Sequence, residues 1–111
     1  MLTLPIKRKW FDMIVSGEKK EEYRDISEYW IKRIVNEKKR QGITHILDKG
    51  LRVCIRAGYG KDSPAAMLTL AKVDYGPGRP EWGAEPHGKY IRLHIETVEL
   101  LTKGAADNDA G

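Results

Sequence analysis

The period of the apolar positions changes along this chain, and the changes divide it into elements. Leu2, Leu4 and Ile6 alternate with Thr3 and Pro5. That predicts a short first strand, which Pro5, lacking a backbone donor, confines to an edge or an end. Trp10, Phe11, Ile14 and Val15 recur at helical spacing and predict a helix over residues 7–16 that stops at Gly17. A longer stripe of Ile26, Trp30, Ile31, Ile34 and Val35 predicts a second helix. Asp25 or Ser27 caps it, and it runs to Arg40 or Gln41 with Gly42 as its stop. On its surface Glu28 with Lys32, and Arg33 with Glu37, are spaced for ion pairs. The basic end, Lys38-Lys39-Arg40, reads as a favourable helix C-terminus on a solvated face.

Beyond Gly42 the chain reads as strands and turns. Residues 43–47 read as a short strand and Asp48-Lys49-Gly50 as a turn. Leu51, Val53 and Ile55 alternate with Arg52, Cys54 and Arg56, a strand with one apolar face and one arginine-bearing face. Residues 66–75 are apolar on both faces, as in a central strand covered on each side. Residues 89–101 form a last strand long enough to bend and close a barrel. Glycine-rich loops at 58–64 and 76–88 separate these strands. Residues 103–111, made mostly of Ala, Gly, Asp and Asn, read as a disordered tail, which leaves one domain over residues 1–102. Two early helices followed by strands give an α+β fold, a curved sheet or small barrel flanked by the helices.

Composition narrows the function classes. Charged residues are 32% and apolar residues 41% of the chain, a globular balance. The formal charge of +4 suits RNA, a nucleotide or another phosphate-bearing partner, and equally an ordinary small basic protein. Cys54 is alone, so neither an intrachain disulfide nor a thiolate cluster can form, as expected of a reducing cytoplasm. His45, His87 and His94 lack ligand spacing, so neither metal nor cofactor is expected. No signal-peptide pattern opens the chain and no apolar run reaches membrane-spanning length, which makes a cytoplasmic location the expectation.

The densest chemistry lies at Gly17-Glu-Lys-Lys-Glu-Glu-Tyr-Arg24. In an extended segment Lys20, Glu22 and Arg24 share one face and Lys19, Glu21 and Tyr23 the other, unless the loop after Gly17 swings Lys19 back. The plain reading is an ion pair of Glu22 with Arg24 in a strand. The functional reading is a cleft mouth at which an acid and two cations hold a polar ligand or exchange protons with it.

Gly17-x-Lys19-x-x-Glu22-x-Arg24 resembles the signature of the ASCH family, whose domains have a PUA-like β-barrel. The flanking Leu4-Pro5-Ile6-Lys7, Trp10-Phe11-Asp12-Met13-Ile14, Gly58-Tyr59-Gly60-Lys61 and Pro80-Glu81-Trp82-Gly83-Ala84-Glu85-Pro86 are similar to the small stand-alone phage and bacterial members. The resemblance implies binding of RNA or a nucleotide-like ligand. Candidate ligand-binding residues are Lys7, Lys9, Gly17, Lys19, Glu22, Arg24, Tyr59, Lys61, Trp82 and Glu85. The cations would meet phosphates, and Tyr59, Trp82 or Trp10 would stack on a base. One branch of the family resembles N4-acetylcytidine amidohydrolases and uses the motif lysine, a threonine two residues before the motif arginine, and a downstream glutamate. Lys19 matches the lysine, but Glu22 occupies the threonine position, so the hydroxyl chemistry does not carry over. Lys19 and Glu22 remain the catalytic candidates if the protein is a hydrolase of a modified nucleoside or of RNA, with Glu81 or Glu85 as the downstream acid. A protein-interaction module is the third reading. Lys20 and Glu21, outside the motif, serve as internal controls.

Overall fold

The doubly apolar run in the second half of the chain becomes the middle of the sheet. In the computed structural model, which describes residues 1–101, it forms β4 (Ala65–Gly76), flanked by β3 (Arg52–Arg56) and β5 (Tyr90–Leu100). β1 (Thr3–Pro5) lies parallel to β3, and β2 (Glu21–Asp25) lies antiparallel to β5. The sheet order is β1-β3-β4-β5-β2. The fold is α+β, with this mixed sheet curled into a half-barrel and joined by α1 (Arg8–Ser16) and α2 (Glu28–Gln41). Register shifts near Thr69, Leu70 and Lys72 interrupt the β4–β5 ladder, and such irregularities increase local twist and bend. β1 and β2 remain the two edges, so the sheet curls without closing by strand pairing. The tail at 103–111, together with residue 102, lies outside the described residues.

Both helices form where the apolar stripes place them, but they bury less. α1 buries Phe11 and Ile14, leaves Val15 exposed, and ends on Gly17 at φ +89°, a conformation glycine adopts without strain. Ser27, not Asp25, caps α2, accepting from the Trp30 N–H at 3.2 Å. Ile34 is buried and Trp30 and Ile31 pack partly against the core, while Ile26 precedes the helix and is 47% exposed, and Val35 is also exposed. A buried carboxylate completes the inner face. Glu37 accepts from Arg40 and from Gln41, so it pairs one turn onward rather than back with Arg33. Gln41 in turn clasps the Arg52 main chain, donating to its carbonyl and accepting from its N–H.

Residues 43–47 form no strand. β3 already has β1 on one side and β4 on the other, so no strand edge is open to them there. Their polar groups are met by turns instead: the Asp48 N–H donates to the His45 carbonyl, and the Leu47 carbonyl accepts from Val73. Ile46 is left 89% exposed. Cys54 is buried, as a lone cysteine in a strand is expected to be, although it alternates with the apolar residues of β3.

Because Ser27 alone caps α2, Ser27→Ala should destabilise the protein by about 1 kcal/mol. Urea unfolding should show a lower midpoint with an unchanged slope.

Candidate functional site

The site is built where α1 hands the chain to β2. After Gly17 the Lys19 N–H donates to the Met13 carbonyl at 2.9 Å, which folds the linker back on the helix. The turn brings Lys19 to the Glu22 side of the segment. There its side chain is 1% exposed, the largest fully buried side chain of the described residues. Its ammonium donates to the carbonyls of Glu21 at 2.6 Å and Trp82 at 2.8 Å and pairs with Glu22 Oε1 at 3.1 Å. The Tyr23 and Trp10 rings stand 4.8 and 5.6 Å from it. Burial lowers the Lys19 pKa below the ordinary lysine value, and the Glu22 carboxylate acts against that shift.

Glu22, itself buried, gives its second oxygen to Arg24. Arg24 donates further to the Tyr23 carbonyl at 2.7 Å and to the Pro5 carbonyl at 2.6 Å. The chain Lys19–Glu22–Arg24 therefore ends on the opposite edge of the sheet, and a side chain spans the gap between β2 and β1 that strand pairing leaves. Arg24 also lies 5.2 Å from the Trp30 ring.

Beside this chain opens a cleft of about 300 Å³. Glu22, Tyr23 and Arg24 line it from β2, Pro5, Ile6 and Lys7 from the end of β1, Trp10 from α1, and Trp82 and Gly83 from the 3-10 turn at Pro80–Trp82. That turn sits tight against α1. Gly83 has φ +102°, and a Cβ there would come within 3.1 Å of the Trp10 ring.

Of the residues singled out in the sequence, Lys7, Glu22, Arg24 and Trp82 meet at the cleft, with Lys19 tied to Glu22 and to the Trp82 carbonyl. Gly17 supplies the turn and no wall. Lys9 is exposed, its ammonium 4.7 Å from the Trp10 ring. Tyr59 lines a neighbouring hollow, and Lys61 is exposed outside both. Glu81 pairs with Arg79, and Glu85 is exposed and bonds through its main chain, its N–H donating to the Tyr90 hydroxyl and its carbonyl accepting from the Gly88 N–H. Neither glutamate lines the cleft. Tyr23, Pro5, Ile6 and Gly83 line it without having been singled out. Trp10, expected in the core from its helical stripe, is half-buried on α1 and lines the cleft.

A second polar system runs across the strands behind the site. The Tyr23 hydroxyl donates to Glu21 Oε1 at 2.8 Å and accepts from the Arg79 N–H at 2.9 Å. Glu21 Oε2 is 3.6 Å from His94 Nδ1, and His94 Nε2 is 2.8 Å from Asp74 Oδ1. Arg92 forks onto both Asp74 oxygens at 2.8 and 2.9 Å. Burial, with the adjacent Glu21, raises the Tyr23 pKa despite the opposing Arg79 N–H. Burial would also raise that of Asp74, but Arg92 and His94 outweigh it and hold the carboxyl at about 2. Cross-strand register creates this system by setting Glu21 opposite His94 and Asp74 opposite Arg92. Glu21 is thus no inert control, whereas Lys20 is exposed.

Lys19→Ala should cost about 3–5 kcal/mol of stability, because it leaves Glu22 buried with one partner fewer. Lys20→Ala should stay within about 0.5 kcal/mol of the parent in the same unfolding experiment. Asp74 has a folded pKa below its ordinary 3.8, so its contribution to stability is present above that value and lost as the pH falls through about 2. Urea midpoints measured between about pH 5 and pH 2 should therefore fall less steeply for Asp74→Asn than for the parent. Compared with models of protein families, with curated proteins and with solved structures, the chain finds no match.

Proposed function

We propose that the protein is a small RNA- or nucleotide-binding domain of the ASCH type, in which the cleft over Glu22 receives a nucleobase. One observation carries the reading. A carboxylate only 6% exposed is held by two cations at a cleft whose lining includes Trp10, Tyr23 and Trp82. A carboxylate oxygen has more than one acceptor position, so Glu22 can serve Lys19 and Arg24 and still accept from the amino or imino N–H of a base edge. The aromatic walls suit a flat ring, and such stacking contributes about 1–3 kcal/mol per base. Lys7 is exposed at the rim, where a phosphate of the same nucleotide would lie. Two cations against one carboxylate leave the site with a positive surplus, as does the chain with its formal +4.

Binding fits this geometry better than hydrolysis does. A lysine base needs a free lone pair, whereas all three donor directions of the Lys19 ammonium are taken by two main-chain carbonyls and Glu22. A concave site with a buried carboxylate also suits a small ligand better than the flat surface of a protein-interaction module.

Trp10 and Trp82 line the cleft, so their fluorescence reports occupancy directly. Titration with a short single-stranded RNA and with the four nucleoside monophosphates should quench it, more weakly at higher salt. Lys7→Ala should lower the affinity and reduce the slope of log K against log salt by about 0.7, the loss of one phosphate contact on a single strand. Glu22→Gln should flatten the differences among the four nucleotides and leave that slope unchanged. No binding of the RNA or of any nucleotide would refute the reading.

A further inference from the structure

We infer that the ligand is a strand rather than a single nucleotide, and that the protein carries a second subsite for the adjacent nucleotide, with Tyr59 as its stacking face. The inference rests on the nucleobase reading of the Glu22 cleft and extends it. Its basis is a second hollow, of about 490 Å³, lined by Lys7, Arg8, Ala57, Gly58 and Tyr59. Pro5 and Ile6 belong to it too, and Pro5, Ile6 and Lys7 are shared with the Glu22 cleft. The two hollows are therefore neighbours across one short ridge. Lys7 stands on the shared ridge, where the phosphate joining two nucleotides would have to pass.

The second hollow has the two properties a strand requires. Its charges are cationic, from Lys7 and Arg8, with Arg8 partly offset by Asp12 at 2.9 Å. Its aromatic residue is presented outward, since Tyr59 is 93% exposed, a position that burial in the core does not explain. The loop that carries Tyr59 is built at its base. Ala57 N–H donates to the Pro64 carbonyl at 2.9 Å, Ser63 N–H to the Gly60 carbonyl at 3.0 Å, and Arg56 to the Ser63 carbonyl at 3.1 Å. Gly58 turns at φ +123°, and a Cβ there would meet Ser63 Oγ at 2.7 Å, so the turn that sets Tyr59 outward requires glycine. A tied loop base with an unburied aromatic tip and two adjacent cations matches the stacking-and-phosphate pattern of single-strand recognition. Unlike the Glu22 cleft, the second hollow has no carboxylate in its lining, so it would accept any base by its flat face.

The test compares a nucleoside monophosphate with a 5′-phosphorylated dinucleotide of the same base, by tryptophan quenching at fixed salt. The parent should bind the dinucleotide about tenfold more tightly. Tyr59→Ala should bring that affinity ratio close to one, and Tyr59→Phe, which keeps the ring, should restore it. Equal affinities in the parent, or an unchanged ratio in Tyr59→Ala, would overturn the second subsite and leave the nucleobase reading standing. Failure of the parent to bind either ligand would overturn both.

Discussion

A lysine removed from water governs this fold. An ammonium at 1% exposure is tolerable only where its charge and its protons are met inside the protein, and the partners that Lys19 finds tie together β2, α1 and the 3-10 turn. The Glu21 carbonyl and the Glu22 carboxylate fix the start of β2. The Trp82 carbonyl fixes the 3-10 turn between β4 and β5, and the aromatic faces of Trp10 and Tyr23 seat α1 and β2 around the charge. Glu22 then needs a second cation, Arg24 supplies it, and Arg24 reaches Pro5. A requirement to neutralise one buried charge thus organises both edges of an open sheet and sets up the cleft between them.

The half-barrel depends on this arrangement because its hydrogen-bond ladder is incomplete. Strand pairing runs from β1 through β3, β4 and β5 to β2 and stops there. The strap from Arg24 to Pro5 takes over where the ladder ends, using a guanidinium whose fork can serve Glu22 and two carbonyls together. On the other flank, Asp74, Arg92 and His94 join β4 to β5, and Glu21 with the Tyr23 hydroxyl extends the system to β2 and the Arg79 main chain. Tyr23 belongs to both flanks, with its ring toward Lys19 and its hydroxyl in the second network.

How much of this was legible in the sequence follows from the range of each interaction. Lys19, Glu22 and Arg24 lie within one short stretch, and the glycine before them marks the turn that regroups their side chains, so their grouping was readable. The curved sheet was readable from the doubly apolar run of β4 and the length of β5. Glu21, Asp74 and His94 were not, because only the register of three strands brings them together and no spacing along the chain encodes that register. Residues 43–47 misled for a related reason: a short run with three apolar residues looks like a strand, but both sides of β3 were already occupied. Glu85 shared a family-like block with Trp82, yet the turn ending at Gly83 separates the two and leaves Glu85 outside.

Trp82 has a divided role with a consequence for how such a pocket can diversify. Its carbonyl holds Lys19, whereas its side chain forms a wall of the cleft. Any residue at this position still provides the carbonyl. The wall can therefore change size, polarity or shape while the buried lysine keeps its main-chain acceptor, and the cleft can be remodelled without dismantling the scaffold beneath it.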